Sequence, residues 1–315
     1  MKALEVAARY YSDMRQQTRE RLLNRDPCAL RLTAGFLRLL PAGTRGKTRT
    51  AKFILRPVLR TRDVTVRDRD GCRYVVPSLR EPVAFHLFFD GVYERETLRF
   101  LFSRLGPGST FVDVGANIGA MTIPVARHVG AMGQVVAIEA SPRVFRYLAH
   151  NVAANEISNV RLKCCAASDS EALELTFYEA PAECFGSGSV GPQSSALQTT
   201  VPAAPLDRIL AAEDITHVDV LKVDVEGFES AVFRGATRLL NGPNPPIVVF
   251  EFDGWAEART PNTKVGDAQR LLREYGYALW LLNDFGHRNA RSLDRELREG
   301  GAMLVAEKPQ GSKCQ

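Results

Sequence analysis

The chain is poor in the residues that build metal centres and covalent crosslinks. It has six cysteines and five histidines in 315 residues, with no Cys-x-x-Cys spacing and no paired histidines. That pattern argues against a structural zinc site and against a disulfide framework. Cys28, Cys72, Cys184 and Cys314 are scattered, and Cys164 and Cys165 close an apolar run where small buried thiols are common. His217 reads as a loop residue ahead of a strand. No apolar run approaches the roughly 18 residues that would span a bilayer, and no apolar signal-peptide core follows the first charges. A cytoplasmic location is therefore expected. No internal repeat is present. Apolar residues at 45% and charged residues at 24% lie near the averages of globular chains, which excludes bulk disorder.

Acidic residues are scarce at the head of the chain. Residues 1–60 hold 14 Lys/Arg against 4 Asp/Glu, net +10, while the other 255 residues hold 27 against 32, net −5. Helical patterning runs through Leu4, Ala8, Tyr11, Leu22 and Leu23, followed by an apolar stretch from Leu30 to Leu40 and the basic loop Thr44-Arg-Gly-Lys-Thr-Arg49. Such a head is either a solvated or packed helical face or a peripheral contact for an anionic membrane or polyanion. Asp13, Glu20 and Asp26 interrupt it and argue against an organelle transit segment.

The segment Thr110-Phe-Val-Asp-Val-Gly-Ala-Asn-Ile-Gly119 reads as a buried strand, a glycine-supported turn and the start of a helix. The dinucleotide fingerprint Gly-x-Gly-x-x-Gly would place its glycines at Gly115, Asn117 and Ala120. It fails at the second, where backbone must lie closest to a pyrophosphate. Asp113 on the strand is a poor neighbour for phosphate and a good one for a cation. A sulfonium with an ammonium, as in S-adenosylmethionine, fits that description. A second apolar run, Gln134 to Ala140, ends in Glu139, 20 residues after Gly119. At that interval an acid meets ribose hydroxyls in doubly wound nucleotide sites, and a carboxylate accepts from both. The alternative is an acid near the start of the next helix, opened by Ser141 or Pro142 and continued through Val144, Leu148 and Val152. The third cluster, Val218 to Glu229, places Asp224, Glu226 and Gly227 where its strand should end. Ligands of open α/β sheets bind there, and the alternative is an internal ion pair with Lys222.

Together, Gly91-Val-Tyr-Glu94, Val112 to Gly119, Glu139, His150-Asn151, Pro205-Leu-Asp207 and Leu221 to Glu229 resemble the FkbM methyltransferase family across residues 90–253. The departure is Glu139-Ala140, where the family often has Glu-Pro. The resemblance implies an α/β, Rossmann-like class I S-adenosylmethionine-dependent methyltransferase. It also implies a doubly wound, mostly parallel sheet with an antiparallel edge, and commonly O-methylation of a sugar or natural-product hydroxyl.

The remaining pattern is strand–helix alternation, which predicts a sheet covered on both faces. Residues 63–77 read as a hairpin turning at Asp70-Gly71, and a helix-like stretch runs from Gly91 to Phe102. Val160–Cys165 is a third strand, followed by Asp169 as an acceptor for an adenine amino group or as a turn acid. Leu173–Glu179 is an extra strand, and the Gly/Ser/Pro-rich stretch 180–200 is a candidate lid over the acceptor. Ser230–Leu240 and Lys264–Tyr275 read as helices, and Pro246–Phe252, Tyr277–Leu282 and Ala302–Ala306 as strands. The expected organisation is a basic helical extension at 1–60, a hairpin and helix at 61–105 that could wall the acceptor pocket, and a methyltransferase domain at 106–310.

The expected cofactor set is Asp113, Gly115, Asn117, Gly119, Glu139, Ser141 and Asp169, and the catalytic set is Asp224, Glu226 and Glu251. Methyl transfer needs alignment of the acceptor and removal of its proton. The same carboxylates could instead hold a divalent cation that lowers the hydroxyl's pKa. The expected partner is a small hydroxylated acceptor, whether sugar, lipid-linked glycan or natural product, and not nucleic acid. A nicotinamide-dependent oxidoreductase and a non-catalytic anionic-surface binder are the competing readings.

Overall fold

The structure is a computed structural model describing residues 63–309, apart from 171–173, 182–183, 193–196 and 288–290. All of these belong to the compact unit Thr61–Gln315. The basic head and its suggested membrane or polyanion contact lie outside the described residues, as do Cys28 and Cys314.

The hairpin forms as read. β1 (Val64–Arg67) pairs antiparallel with β2 (Arg73–Val76), and Gly71 in the turn adopts a φ of 80°. Two helices follow, α1 (Pro82–Phe89) and α2 (Arg95–Arg104). The first is capped by Glu81, whose Oε2 accepts from the Ala84 N–H at 2.7 Å. The central elements are then β3 (Thr110–Val114), α3 (Thr122–Val129), β4 (Gln134–Glu139), α4 (Pro142–Ala154) and β5 (Val160–Cys164). After an excursion come α5 (Leu206–Ala211), β9 (Val220–Val223), α6 (Glu229–Arg234), α7 (Thr237–Asn241), β10 (Ile247–Asp253), α8 (Gly254–Glu257), α9 (Asp267–Glu274), β11 (Ala278–Leu281) and β12 (Gly301–Glu307). The excursion is a small sheet of β6 (Ala166–Ser168), β7 (Glu174–Tyr178) and β8 (Gln198–Pro205), in which β8 is central.

The seven main strands lie in the order β11-β12-β10-β9-β3-β4-β5. From β5 to β10 every pairing is parallel, and β12 runs antiparallel to both β10 and β11 at one edge. The order β5-β4-β3-β9-β10 is the doubly wound pattern, and strand order reverses between β3 and β9. Side chains alternate between two cores, as a sheet covered on both faces requires. Val112, Val114, Leu221, Val223, Val248 and Phe250 pack with α5, α6, α7 and α9. Phe111, Val220 and Val249 pack with α2 and α3.

Parity then places three charged residues on the α2/α3 face. Asp113 is in register with Lys222, Lys222 with Val249, and Glu251 lies two residues beyond Val249. The stretch read as one helix from Ser230 to Leu240 is two. Asp207 interrupts it, because its carboxylate takes the N–H groups of Arg238 at 2.7 Å and Leu239 at 3.0 Å and caps α7 separately. The lid stretch is shorter than expected, since β8 claims Gln198 onward.

Candidate active site

A cleft opens at the carboxyl ends of β3, β4, β9 and β10, enclosing about 860 Å³ up to and including its mouth. Its wall includes Gly115, Asn117, Glu139, Asp224, Glu226 and Glu251, so six of the ten expected residues meet there. Their convergence follows from the backbone. Gly115 has a φ of 81°, and a Cβ on it would fall 1.8 Å from the Asp224 carbonyl oxygen. Only glycine lets the turn after β3 press against the turn after β9. The Gly115 and Ala116 N–H groups both donate to the Ile138 carbonyl, at 2.9 and 3.0 Å, which ties the same turn to β4.

Glu139 is held in the cleft by the main chain. One carboxylate oxygen accepts from the Asn117 N–H and the other from the Ser141 N–H, both at 2.9 Å. Each oxygen keeps a further lone pair for a ligand hydroxyl. Burial pushes the Glu139 pKa up to about 7, against the pull of those two N–H groups. Asn117 sits in the left-handed region at φ 50°, its side chain beneath Gly186, and its Oδ1 is buried without a hydrogen-bond partner.

The other end of the cleft is held by side chains. Lys222 is buried, with its Nζ 3.0 Å from Asp224 and 3.8 Å from Asp113. Burial alone would lower the Lys222 pKa, but the carboxylates of Asp224, Asp113 and Glu94 raise it, so the ammonium persists. Thus the ion pair weighed as the alternative for Asp224 is present, and Asp224 also lines the cleft. Beside it, Asp224 and burial together push Glu251 up to about 10, so Glu251 carries its proton at neutral pH. Glu226, at φ 55°, is raised to about 7 by burial and by Asp224. The 225–227 turn is set by Glu229, whose Oε1 accepts from the Val225 and Gly227 N–H groups at 3.0 and 3.3 Å. Ser189 donates to the Glu226 carbonyl at 3.0 Å, and Gly186, Ser187 and Val190 of the lid stretch line the cleft.

Four expected residues do not reach the wall. Asp113 faces inward, where its Oδ2 accepts from Thr122 Oγ1 at 2.6 Å and burial raises its pKa. Gly119, at φ 93°, makes room for Ile123 and Leu148 side chains, not for a ligand. Ser141 acts from behind, through the N–H that holds Glu139, while its hydroxyl caps α4 and donates to Glu179. Asp169 pairs with Arg234 at 2.6 Å, away from the cleft. In the segment before the core, the hairpin contributes no lining residue, whereas Glu81, Pro82, Val83 and Tyr93 do. Among the described residues, no group of three or more His, Cys, Asp or Glu is arranged to hold a metal ion.

Sequence reading passed over Tyr93 and Glu94 as site residues. Glu94 begins α2 at φ 40°, burial and Asp224 raise its pKa, and its Oε2 is buried without a hydrogen-bond partner. The signal was the Gly91-Val-Tyr-Glu94 block itself. Of the six non-glycine residues with positive φ among those described, Asn117 and Glu226 line the cleft and Glu94 adjoins Tyr93 in its wall. Half of these strained positions thus lie in or beside the cleft wall.

Residues 113–279, just over half of the chain, match the methyltransferase FkbM domain. The hexuronic acid methyltransferase AglP of Haloferax volcanii is 27% identical over 155 residues, an alignment covering 49% of this chain and 61% of that protein. A SAM-dependent O-methyltransferase from Thermotoga maritima aligns over 78% of this chain and 77% of its own at 16% identity, with a TM-score of 0.40. The precorrin-6y C5,15-methyltransferase of Geobacter metallireducens aligns over 69% and 92% at 13% identity, with a TM-score of 0.39. With the family domain spanning β3 to β11 and every cleft-forming strand end, the chain belongs to the FkbM methyltransferase family.

Proposed function

We propose that this protein is an S-adenosylmethionine-dependent methyltransferase that methylates a hydroxyl on a sugar or other small natural product. The observation that carries the reading is Glu139, fixed by two main-chain N–H groups at the end of β4 with lone pairs left for a diol. The acidic wall suits a cationic cofactor, and the orphaned Asn117 Oδ1 calls for a donor. The sugar class is supported by AglP, which acts on a hexuronic acid.

S-adenosylmethionine would supply an activated methyl group, whose C–S electron pair stays on sulfur as the acceptor oxygen's lone pair bonds to carbon. The chain's own residues must orient that oxygen and take its proton. Asp224, 3.0 Å from the Lys222 Nζ, accepts a hydrogen bond from the hydroxyl and orients it. Glu226 takes the proton, because its pKa near neutrality is where general-base catalysis is most efficient. Glu251 keeps its own proton and is hydrogen-bonded to Asp224, so it positions Asp224 and does not serve as a base. Holding the acceptor in line supplies the larger part of the acceleration, with effective molarities of about 10⁵ M or more.

Calorimetry on the full chain separates this from nicotinamide chemistry: S-adenosylmethionine and S-adenosylhomocysteine should bind and NAD should not. On a methylated acceptor, Glu226→Gln should lower kcat by about 10² or more and abolish its rise through pH 7. An unchanged pH profile would remove Glu226 as the base.

A further inference from the structure

Five carboxyl side chains line the cleft, Glu81, Glu139, Asp224, Glu226 and Glu251, and no lysine, arginine or histidine does so among the described residues. Residues 180–200, which supply Gly186, Ser187 and Val190 to the wall, contain no Lys, Arg or His at all. Lys222, the nearest buried cation, lies beneath the wall and is paired with Asp224 and Asp113. Among the described residues, an anionic acceptor would therefore meet like charge with no counter-ion in the wall. Recognition of carboxylate or phosphate ordinarily uses arginine or lysine forks, and like-charge juxtaposition is an effective means of exclusion.

Building on the methyltransferase reading, and in contrast to the hexuronic acid on which AglP acts, we infer that the acceptor of this chain enters as an uncharged, hydroxyl-rich compound and that this cleft disfavours acceptors carrying a carboxylate or phosphate. The wall is matched to hydroxyls in kind as well as in charge. Asp224 and Glu251 share a side-chain hydrogen bond that leaves further carboxyl oxygens as acceptors, and Glu226 changes from donor to acceptor near pH 7. A polyol, whose every hydroxyl both donates and accepts, can answer both kinds of group. A carboxylate can answer only the donors.

The test uses the full chain saturated with S-adenosylhomocysteine at pH 8 and saturation-transfer NMR. The probes are methyl β-D-glucopyranoside and its C6-carboxylate counterpart, methyl β-D-glucopyranosiduronate, at equal concentration. The expected result is transfer from the neutral glycoside at least tenfold above that from the glucuronate, with the ratio narrowing in Glu226→Gln. Equal or stronger transfer from the glucuronate overturns the inference, and so does absence of transfer from the neutral glycoside. Signals from S-adenosylhomocysteine in the same tube report separately on the methyltransferase reading, whose failure would show as their loss.

Discussion

The two ends of the cleft hold their carboxylates by different means. At the end of β4, Glu139 is gripped by two backbone N–H groups that belong to the turn after β3 and the entry to α4. At the ends of β9 and β10, Asp224 and Glu251 depend on one buried lysine and on each other. A backbone grip survives most side-chain changes, because the donors belong to the fold. A side-chain grip is conditional, since removing one member leaves the others as unmatched buried charge. The first end is therefore built as a fixed receptor. The second is built as a coupled set whose protonation can shift during a reaction.

The sharpest way to break the comparison is Lys222→Met, which keeps length and removes the ammonium. Asp113 would be left buried and unmatched, and Asp224, half-buried in the cleft wall, would lose its nearest cation. Losing one partner of a buried pair costs about 3–5 kcal/mol, so chemical denaturation should show a loss of that size. It should also be smaller at acid pH, where the stranded carboxylates are protonated. A loss under about 1 kcal/mol, on the scale of an exposed pair, would mean that the two ends are held alike.

A smaller effect is expected at the backbone-held end. Glu139→Ala should weaken S-adenosylhomocysteine binding by roughly 1–3 kcal/mol, the range for a lost hydrogen bond to a charged acceptor, with the fold retained. The pH dependence has two opposite signs. Because burial raises the Glu139 pKa from 4.5 to about 7, its contribution to the free protein's stability is full below 4.5 and is lost as pH rises through 7. The ionised carboxylate is the form that accepts a diol, so affinity should rise through the same interval. The increase in Tm on adding S-adenosylhomocysteine should thus grow between pH 6 and 8 in the native chain and grow less in Glu139→Gln. Identical growth in both would separate Glu139 from the ligand.

The backbone-held end was also the more legible from sequence. That Gly115, Asn117 and Glu139 would share one cleft was legible because strand, turn and acid follow one another at spacings that local geometry fixes. Asp113 was misplaced although the strand's parity pointed inward, since it alternates with Val112 and Val114 on the face of Phe111. Gly119 was expected in the cofactor set, and the room it leaves is filled by the Ile123 and Leu148 side chains. At the other end, Asp224 and Glu226 were legible as carboxylates at a strand terminus. The division of labour among Asp224, Glu226 and Glu251 was not, because it depends on distances across β9 and β10 and on Tyr93 and Glu94 arriving from a helix 130 residues earlier. A mostly parallel sheet covered on both faces was legible from the alternation of strand and helix. The lid's true extent did not, because β8 pairs with β6 and β7 and has no helix to announce it.

The smallest effect should come from Asp169, which lies outside the cleft wall. Its carboxylate lies 2.6 Å from the Arg234 guanidinium, and both side chains are more than a third exposed, at 37% and 39%. Solvent screens such a pair, and ion pairs of this kind typically contribute about 0–1 kcal/mol. Asp169→Asn should therefore change stability by less than about 1 kcal/mol and leave S-adenosylhomocysteine affinity as it was. The measurement distinguishes two arrangements of the adenine end. If Asp169 stays with Arg234, the substitution is silent in calorimetry. If the carboxylate leaves Arg234 to accept from an adenine amino group, affinity falls about tenfold or more, within the range of one hydrogen bond to a charged group. Affinity for an analogue lacking that amino group would then be the same in both proteins. That second outcome would extend the fixed receptor to a side chain that the fold holds only by a surface contact, and it would blur the distinction between the two ends at the point where it is now clearest.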